Sequence, residues 1–231
     1  MESGRQIGIA TRDGRRLPAE LIAKFGAKAP GVVMIPPIYG LSDGERAIAW
    51  DYANAGFPVL VLDLFFRTIP GPLGREGADR DKAQARYAGF EVEQGVSDLA
   101  DAVAALRKMP ECNGKAIVCG YCFGGRYAYL AVTRGIADAG VSFHGTKIGL
   151  DLDEAANVRV PLEIHVGDKD PSVPMEEVER TRKALAVNPH ASVHIYAGAV
   201  HGFTGKGRPS FHEAADTGSR EGALKLLRAL A

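Results

Sequence analysis

Tryptophan occurs once and cysteine three times in 231 residues, and neither sign of charge prevails, with 28 Lys and Arg against 28 Asp and Glu. An odd, small number of cysteines excludes a disulfide framework and points to a reducing compartment. Balanced charge leaves no global field to draw the chain to nucleic acid or to an anionic membrane. No apolar run approaches the roughly 20 residues that span a bilayer, and Met1 to Ala10 has no basic segment leading into an apolar core. Internal repeats and low-complexity stretches are missing too. These absences lead us to expect a cytoplasmic protein, a monomer or small homo-oligomer, acting on small molecules.

Apolar residues, by contrast, make up 46% of the chain, ample for one buried core in one domain, 1–231. Gln6 to Thr11 and Leu17 to Lys24 flank the turn dipeptide Asp13-Gly14 and read as an antiparallel hairpin. Continuous apolar runs at Gly31 to Ile35, Pro58 to Leu64, Ala116 to Cys119, Gly140 to Phe143, Pro161 to Val166 and Val193 to Tyr196 read as buried strands. Helices are expected after the capping box Ser42-x-x-Glu45, over Glu91 to Met109, Arg126 to Arg134, Met175 to Ala186 and Glu221 to Leu230. Phe65 to Arg80, rich in Gly, Pro and charge, reads as a surface loop with solvated arginines. Alternating strands and helices imply an α/β fold with a mostly parallel twisted sheet covered on both faces.

In such a sheet, reactive groups sit on loops beyond the carboxyl ends of the strands. The sharpest of these is Gly120-Tyr121-Cys122-Phe123-Gly124, between a strand and a helix. A tight strand-to-helix turn holds its central residue in a strained conformation, and glycines two before and two after it remove colliding side chains. Such a turn lifts a thiol above the sheet edge, at a helix N-terminus that favours negative charge. On its own, Cys122 is equally a small buried hydrophobe. Cys119-x-x-Cys122 also matches a redox pair, but a thiol–disulfide oxidoreductase leaves the glycines unexplained.

Asp170 and His201 follow at the ends of two later strands, giving nucleophile, acid and histidine in the order of the α/β hydrolases. Asp168 competes with Asp170, which precedes Pro171 in a segment that turns back over the sheet. His165 and His194 lie inside strands and read as core or face residues. No metal-ligand spacing is visible, and neither metal nor cofactor is expected.

The elbow G-Y-C-F-G-G, the segments G-D-K-D-P-S-V-P and Y-A-G-A-V-H-G-F, and the early loop P-P-I-Y-G together resemble the dienelactone hydrolase family of α/β hydrolases, from about Gly31 to the last helix. The resemblance implies Cys122 as nucleophile, Asp170 as orienting acid and His201 as base, with the backbone N–H groups of Ile38 and Phe123 as oxyanion hole. It also implies a small ester, lactone or thioester substrate, contacted by Arg80, His144, Tyr39 and Phe203. Two positions depart from the family pattern. Pro37 stands where dienelactone-cleaving members carry a glutamate, and Gly205 where they carry a second arginine. A ligand-binding member without turnover is therefore a rival expectation.

Overall fold

The computed structural model describes residues 4–24, 26 and 28–231. The hairpin forms as expected: β1 (Arg5–Ala10) pairs antiparallel with β2 (Arg16–Ile22), with Gly14 at φ 84° in the turn. β2 pairs antiparallel with β4 (Val59–Leu62), and β3 (Ala29–Ile35), β4, β5 (Cys112–Tyr121), β6 (Ala139–Phe143), β7 (Leu162–Gly167) and β8 (Ala191–Tyr196) run parallel. The order across the eight-stranded sheet is β1-β2-β4-β3-β5-β6-β7-β8.

Successive residues of a strand face opposite sides, and in the central strands β3, β4 and β5 both sides are apolar, so these strands feed two cores. Val33, Val118 and Ile164 pack with α3 (Val92–Arg107), α4 (Phe123–Thr133) and α5 (Met175–Leu185). Val32, Ile117 and Val141 pack with α1 (Asp43–Asn54) and α6 (Glu213–Ala229). The capping box is present at α1, where Ser42 and Glu45 bond reciprocally. Among the described residues, no helix is long and apolar enough to cross a membrane.

The main departure lies in 65–80. That segment begins in a 3-10 turn, Leu64–Arg67, and ends inside a helix, α2 (Gly77–Ala88). α2 buries only Ala83 and Arg86, so no apolar stripe betrays it, although its Ala, Gln, Lys and Arg residues are good helix formers. Arg67 is not a solvated loop residue. It holds the fully buried Asp98 through two bonds of 2.8 and 2.7 Å and Asp13 through one of 2.7 Å. α6 begins eight residues before the expected start at Glu221, capped by the His212 ring, which accepts from Ala215 N.

Candidate active site

The turn from β5 into α4 puts Cys122 at φ 55° and ψ −114°. A non-glycine residue held there stores roughly 1–3 kcal/mol and persists only if its surroundings over-determine it. They do. Cys122 N donates to Phe143 O at 3.0 Å, while Cys122 O accepts from Gly125 N and Thr146 N. A Cβ at Gly120 would lie 1.9 Å from the Gly124 carbonyl oxygen, and one at Gly124 would lie 2.3 Å from Ile35 O. The two glycines thus let the backbones close around the cysteine.

β7 and β8 deliver the other two members. Asp170 is buried. Its Oδ1 accepts from Ser172 N at 2.8 Å, and its Oδ2 lies 2.8 Å from His201 Nδ1. Asp168 is taken up by the turn, accepting from Gly198 N at 2.7 Å, so Asp170 is the carboxylate that reaches the imidazole. Burial alone would lower the pKa of His201, but hydrogen bonds to Asp170 and to the Cys122 sulfur outweigh it and raise the pKa to about 10. The ring is therefore charged at neutral pH. Cys122, Asp170 and His201, far apart in sequence, come together as the sequence suggests.

The loop after β3 supplies Ile38 and Tyr39, both facing the same cavity as Cys122. Phe123 is the first residue of α4, where backbone N–H groups have no partner inside the helix. Behind the loop lies a group that no pattern in the sequence marks. The guanidinium of Arg86, on α2, is buried and donates to Ile38 O through Nε at 2.7 Å and also through Nη2. Its Nη1 donates to Ile69 O and Gly71 O at 2.8 Å each, and it stacks 4.3 Å from the Phe65 ring centre. One planar cation thus ties three carbonyls of two loops together.

The cavity has a volume of about 380 Å³ and a cationic rim. Arg75 lies 4.4 Å over the Tyr39 ring, and Lys147 lies 4.0 Å over the Tyr87 ring. Glu45, buried at the third position of α1, bridges Arg75 at 3.5 Å and Arg208 at 3.3 Å. Desolvation and the neighbouring Arg208 push the pKa of Arg75 down from its ordinary value. His144 lines the same space at φ 42°, its ring 4.8 Å from that of His201. Burial, and next the charge of His201, hold its pKa well below the ordinary histidine value, so it is neutral. Its Nε2 lies 3.3 Å from Thr204 Oγ1, whereas Nδ1 is buried with no partner among the described residues.

Two expected substrate contacts are corrected. Arg80 sits exposed on the first turn of α2, and the cavity is lined by Arg75 instead, because the chain turns into a helix at Gly77. Phe203 is fully buried behind the site, edge-on to His144 at 5.2 Å, so it supports the wall without forming it. Tyr39 and His144 do line the cavity. Arg208, in the segment after Gly205, also lines the cavity. Cys119 faces the α1 side of the sheet and is fully buried, with its thiol pushed up to about 12 by desolvation, which disfavours disulfide exchange with Cys122. A larger cavity of about 420 Å³ lies beside β2 and β4. Its charged groups are committed to structure, Arg46 to Glu20 at 3.1 Å and Asp63 to the amides of Phe65 and Gly71, so the chemistry favours the smaller one.

The model of the dienelactone hydrolase family matches residues 17–231. Carboxymethylenebutenolidase 1 of Cupriavidus pinatubonensis is 30% identical over 226 residues, covering 97% of this chain and 96% of that protein. Carboxymethylenebutenolidase of Pseudomonas putida is 30% identical over 200 residues, covering 85% and 84%. A solved structure from Klebsiella pneumoniae subsp. pneumoniae MGH 78578, provisionally described as a dienelactone hydrolase, superposes with a TM-score of 0.86 at 23% identity, covering 97% of both chains. Est1E from Butyrivibrio proteoclasticus shares the fold at a TM-score of 0.71 and 15% identity, covering 96% of this chain and 99% of its own.

Proposed function

The chain belongs to the dienelactone hydrolase family, and on that footing we propose that it hydrolyses small lactones or esters bearing a carboxylate, through an acyl-cysteine intermediate. The observation that carries the reading is the strained elbow holding Cys122 beside a His201 ring that is tied to buried Asp170 at 2.8 Å. The sulfur attacks the acyl carbon beside the protonated His201 ring. The negative charge that develops on the carbonyl oxygen is met by the amides of Ile38 and Phe123. His201 then gives its proton to the departing alkoxide or enolate, and the C–O bond breaks.

Acylation has a second effect. The Cys122 sulfur is one of the groups that hold the proton on His201. Once the sulfur is esterified that hold weakens, and the neutral ring can take a proton from water as the water attacks the thioester. Asp170 keeps the Nδ1 proton in place throughout, so the basic Nε2 faces the reaction. Arg75, Arg208 and Lys147 outnumber Glu45 and Glu177 around the cavity and favour an anionic substrate.

The test is hydrolysis of a panel of enol lactones and short aryl esters, with and without a carboxylate, by the native protein and by Cys122→Ala. Turnover that is lost in the variant and favours carboxylate-bearing substrates supports the proposal. Equal rates in both proteins remove Cys122 as nucleophile, and saturable binding without product would favour a binding protein on the same fold.

A further inference from the structure

On the side of the sheet covered by α6, β7 and β8 bring four side chains into a square. Strand alternation sends Leu162, Ile164 and Val166 into the opposite core and leaves Glu163 and His165 facing α6. The parallel register sets Glu163 beside Ser192 and His165 beside His194. The two imidazoles stack 4.7 Å apart with 10° between their planes, His165 buried and His194 exposed. One ligand atom each from Glu163, His165 and His194 lies within 4.8 Å of the other two. Two imidazoles and a carboxylate form a ligand set suited to a zinc-class ion, with water completing four-coordination.

Two other observations point the same way. The far nitrogen of His165 is held in place, with Nδ1 3.0 Å from the Tyr196 hydroxyl, while Nε2 faces Glu163 Oε2 at 3.2 Å. A ligating histidine is ordinarily fixed in this manner through its second nitrogen. The covering helix also makes room. A Cβ at Gly222 would lie 2.0 Å from Glu163 Oε2, and one at Gly218 would lie 2.9 Å from the Tyr196 hydroxyl. Each mid-helix glycine costs about 1 kcal/mol relative to alanine. Here two of them, four residues apart, keep α6 against the cluster without filling it.

We propose that Glu163, His165 and His194 bind a divalent cation of the zinc class, with water as fourth ligand, pinning β8 to β7. His165 binds through Nε2 after its ring proton shifts to Nδ1, where the Tyr196 oxygen accepts the hydrogen bond, so this residue releases no net proton. His194 leaves Ser192 Oγ, now 3.0 Å from its Nε2, and turns toward the ion. Bonds of about 2.1 Å require ligand atoms about 3.4 Å apart. Side-chain rotation of exposed His194 and half-buried Glu163 closes that difference without moving backbone. Lys225, exposed on α6, acts on Glu163 and opposes the ion only from solvent.

The test is calorimetric titration of Zn²⁺ into tag-free, chelator-treated protein at neutral pH. A Cys122→Ala background removes the sulfur beside His201 as a competing ligand. The expected result is one equivalent bound more tightly than about 100 µM, weakened about tenfold or more by both Glu163→Gln and His194→Ala. His194 is exposed, so its replacement leaves packing intact, and thermal unfolding of the metal-free proteins verifies this. With Co²⁺ as probe, the visible band of a four-coordinate site should appear and be lost in His194→Ala. Weaker binding by the parent, or a smaller loss in either variant, overturns the proposal.

Discussion

Replacing Arg86 by methionine tests how the loop after β3 is held. Methionine keeps most of the stem volume against Phe65 and removes the fork. Four N–H···O bonds disappear, and the carbonyls of Ile38, Ile69 and Gly71 lose their donor. A hydrogen bond from a charged donor is worth about 1.5–3 kcal/mol net, and a carbonyl left unsatisfied costs about 1–3 kcal/mol. The losses do not add, because water can enter from the loop side and no desolvated cation remains to be accommodated. We expect a net destabilisation of about 3 kcal/mol, a large share of the 5–15 kcal/mol that ordinarily holds a protein folded. Urea unfolding reads it as a lower midpoint at unchanged slope. The kinetic signature is more specific. Arg86 does not line the cavity, yet it orients the Ile38 peptide, so kcat on an aryl ester should fall about 100-fold with KM nearly unchanged. Lysine at this position should recover part of both losses. A stability change below about 1 kcal/mol, or a loss confined to KM, would refute this account of the loop.

Gly120→Ala puts a methyl group 1.9 Å from a backbone oxygen and should cost over about 4 kcal/mol or prevent folding, as measured by urea unfolding or by yield in the folded fraction. The His201 ring, followed by NMR, should stay charged until about pH 10 in the native protein and titrate at least one unit lower in Cys122→Ala. Because its folded pKa lies above the unfolded 6.5, the stability it contributes is complete below pH 6.5 and is lost as pH rises toward 10. Arg75→Ala and Arg208→Ala should each raise KM for a carboxylate-bearing ester about tenfold and leave a neutral ester unaffected. Arg80→Ala should change neither, and a strong effect there would relocate the anion site.

Short-range chemistry accounts for what the sequence made legible. The elbow is local: two glycines, a central nucleophile and an apolar strand before it leave little freedom, and Cys122 lies where they put it. Asp170 and His201 were readable because strand ends in a parallel sheet converge on one edge. Arg86 was not, since a buried cation bound to carbonyls leaves no partner residue type to search for. α2 was hidden for a related reason, burying too little to show a stripe. Glu45 was recognised only as a cap, because bridging Arg75 and Arg208 depends on two loops whose paths no local pattern sets. The square on β7 and β8 depends on cross-strand register, and spacing along either strand alone shows only two residues at a time.

The two partners of Cys122 enter from the weaker side of the sheet. Among the described residues β8 pairs only with β7, it is nowhere fully buried, and the chain leaving it carries His201. The cysteine directly follows β5, which lies in the middle of the sheet and feeds both core layers. Amides of β8 should therefore exchange with solvent through openings that leave β5 closed. During such an opening His201 moves away while the thiol remains in place, so heat or mild denaturant should silence turnover well before the sheet melts. On cooling, recovery should be fast, since only one edge has to close again.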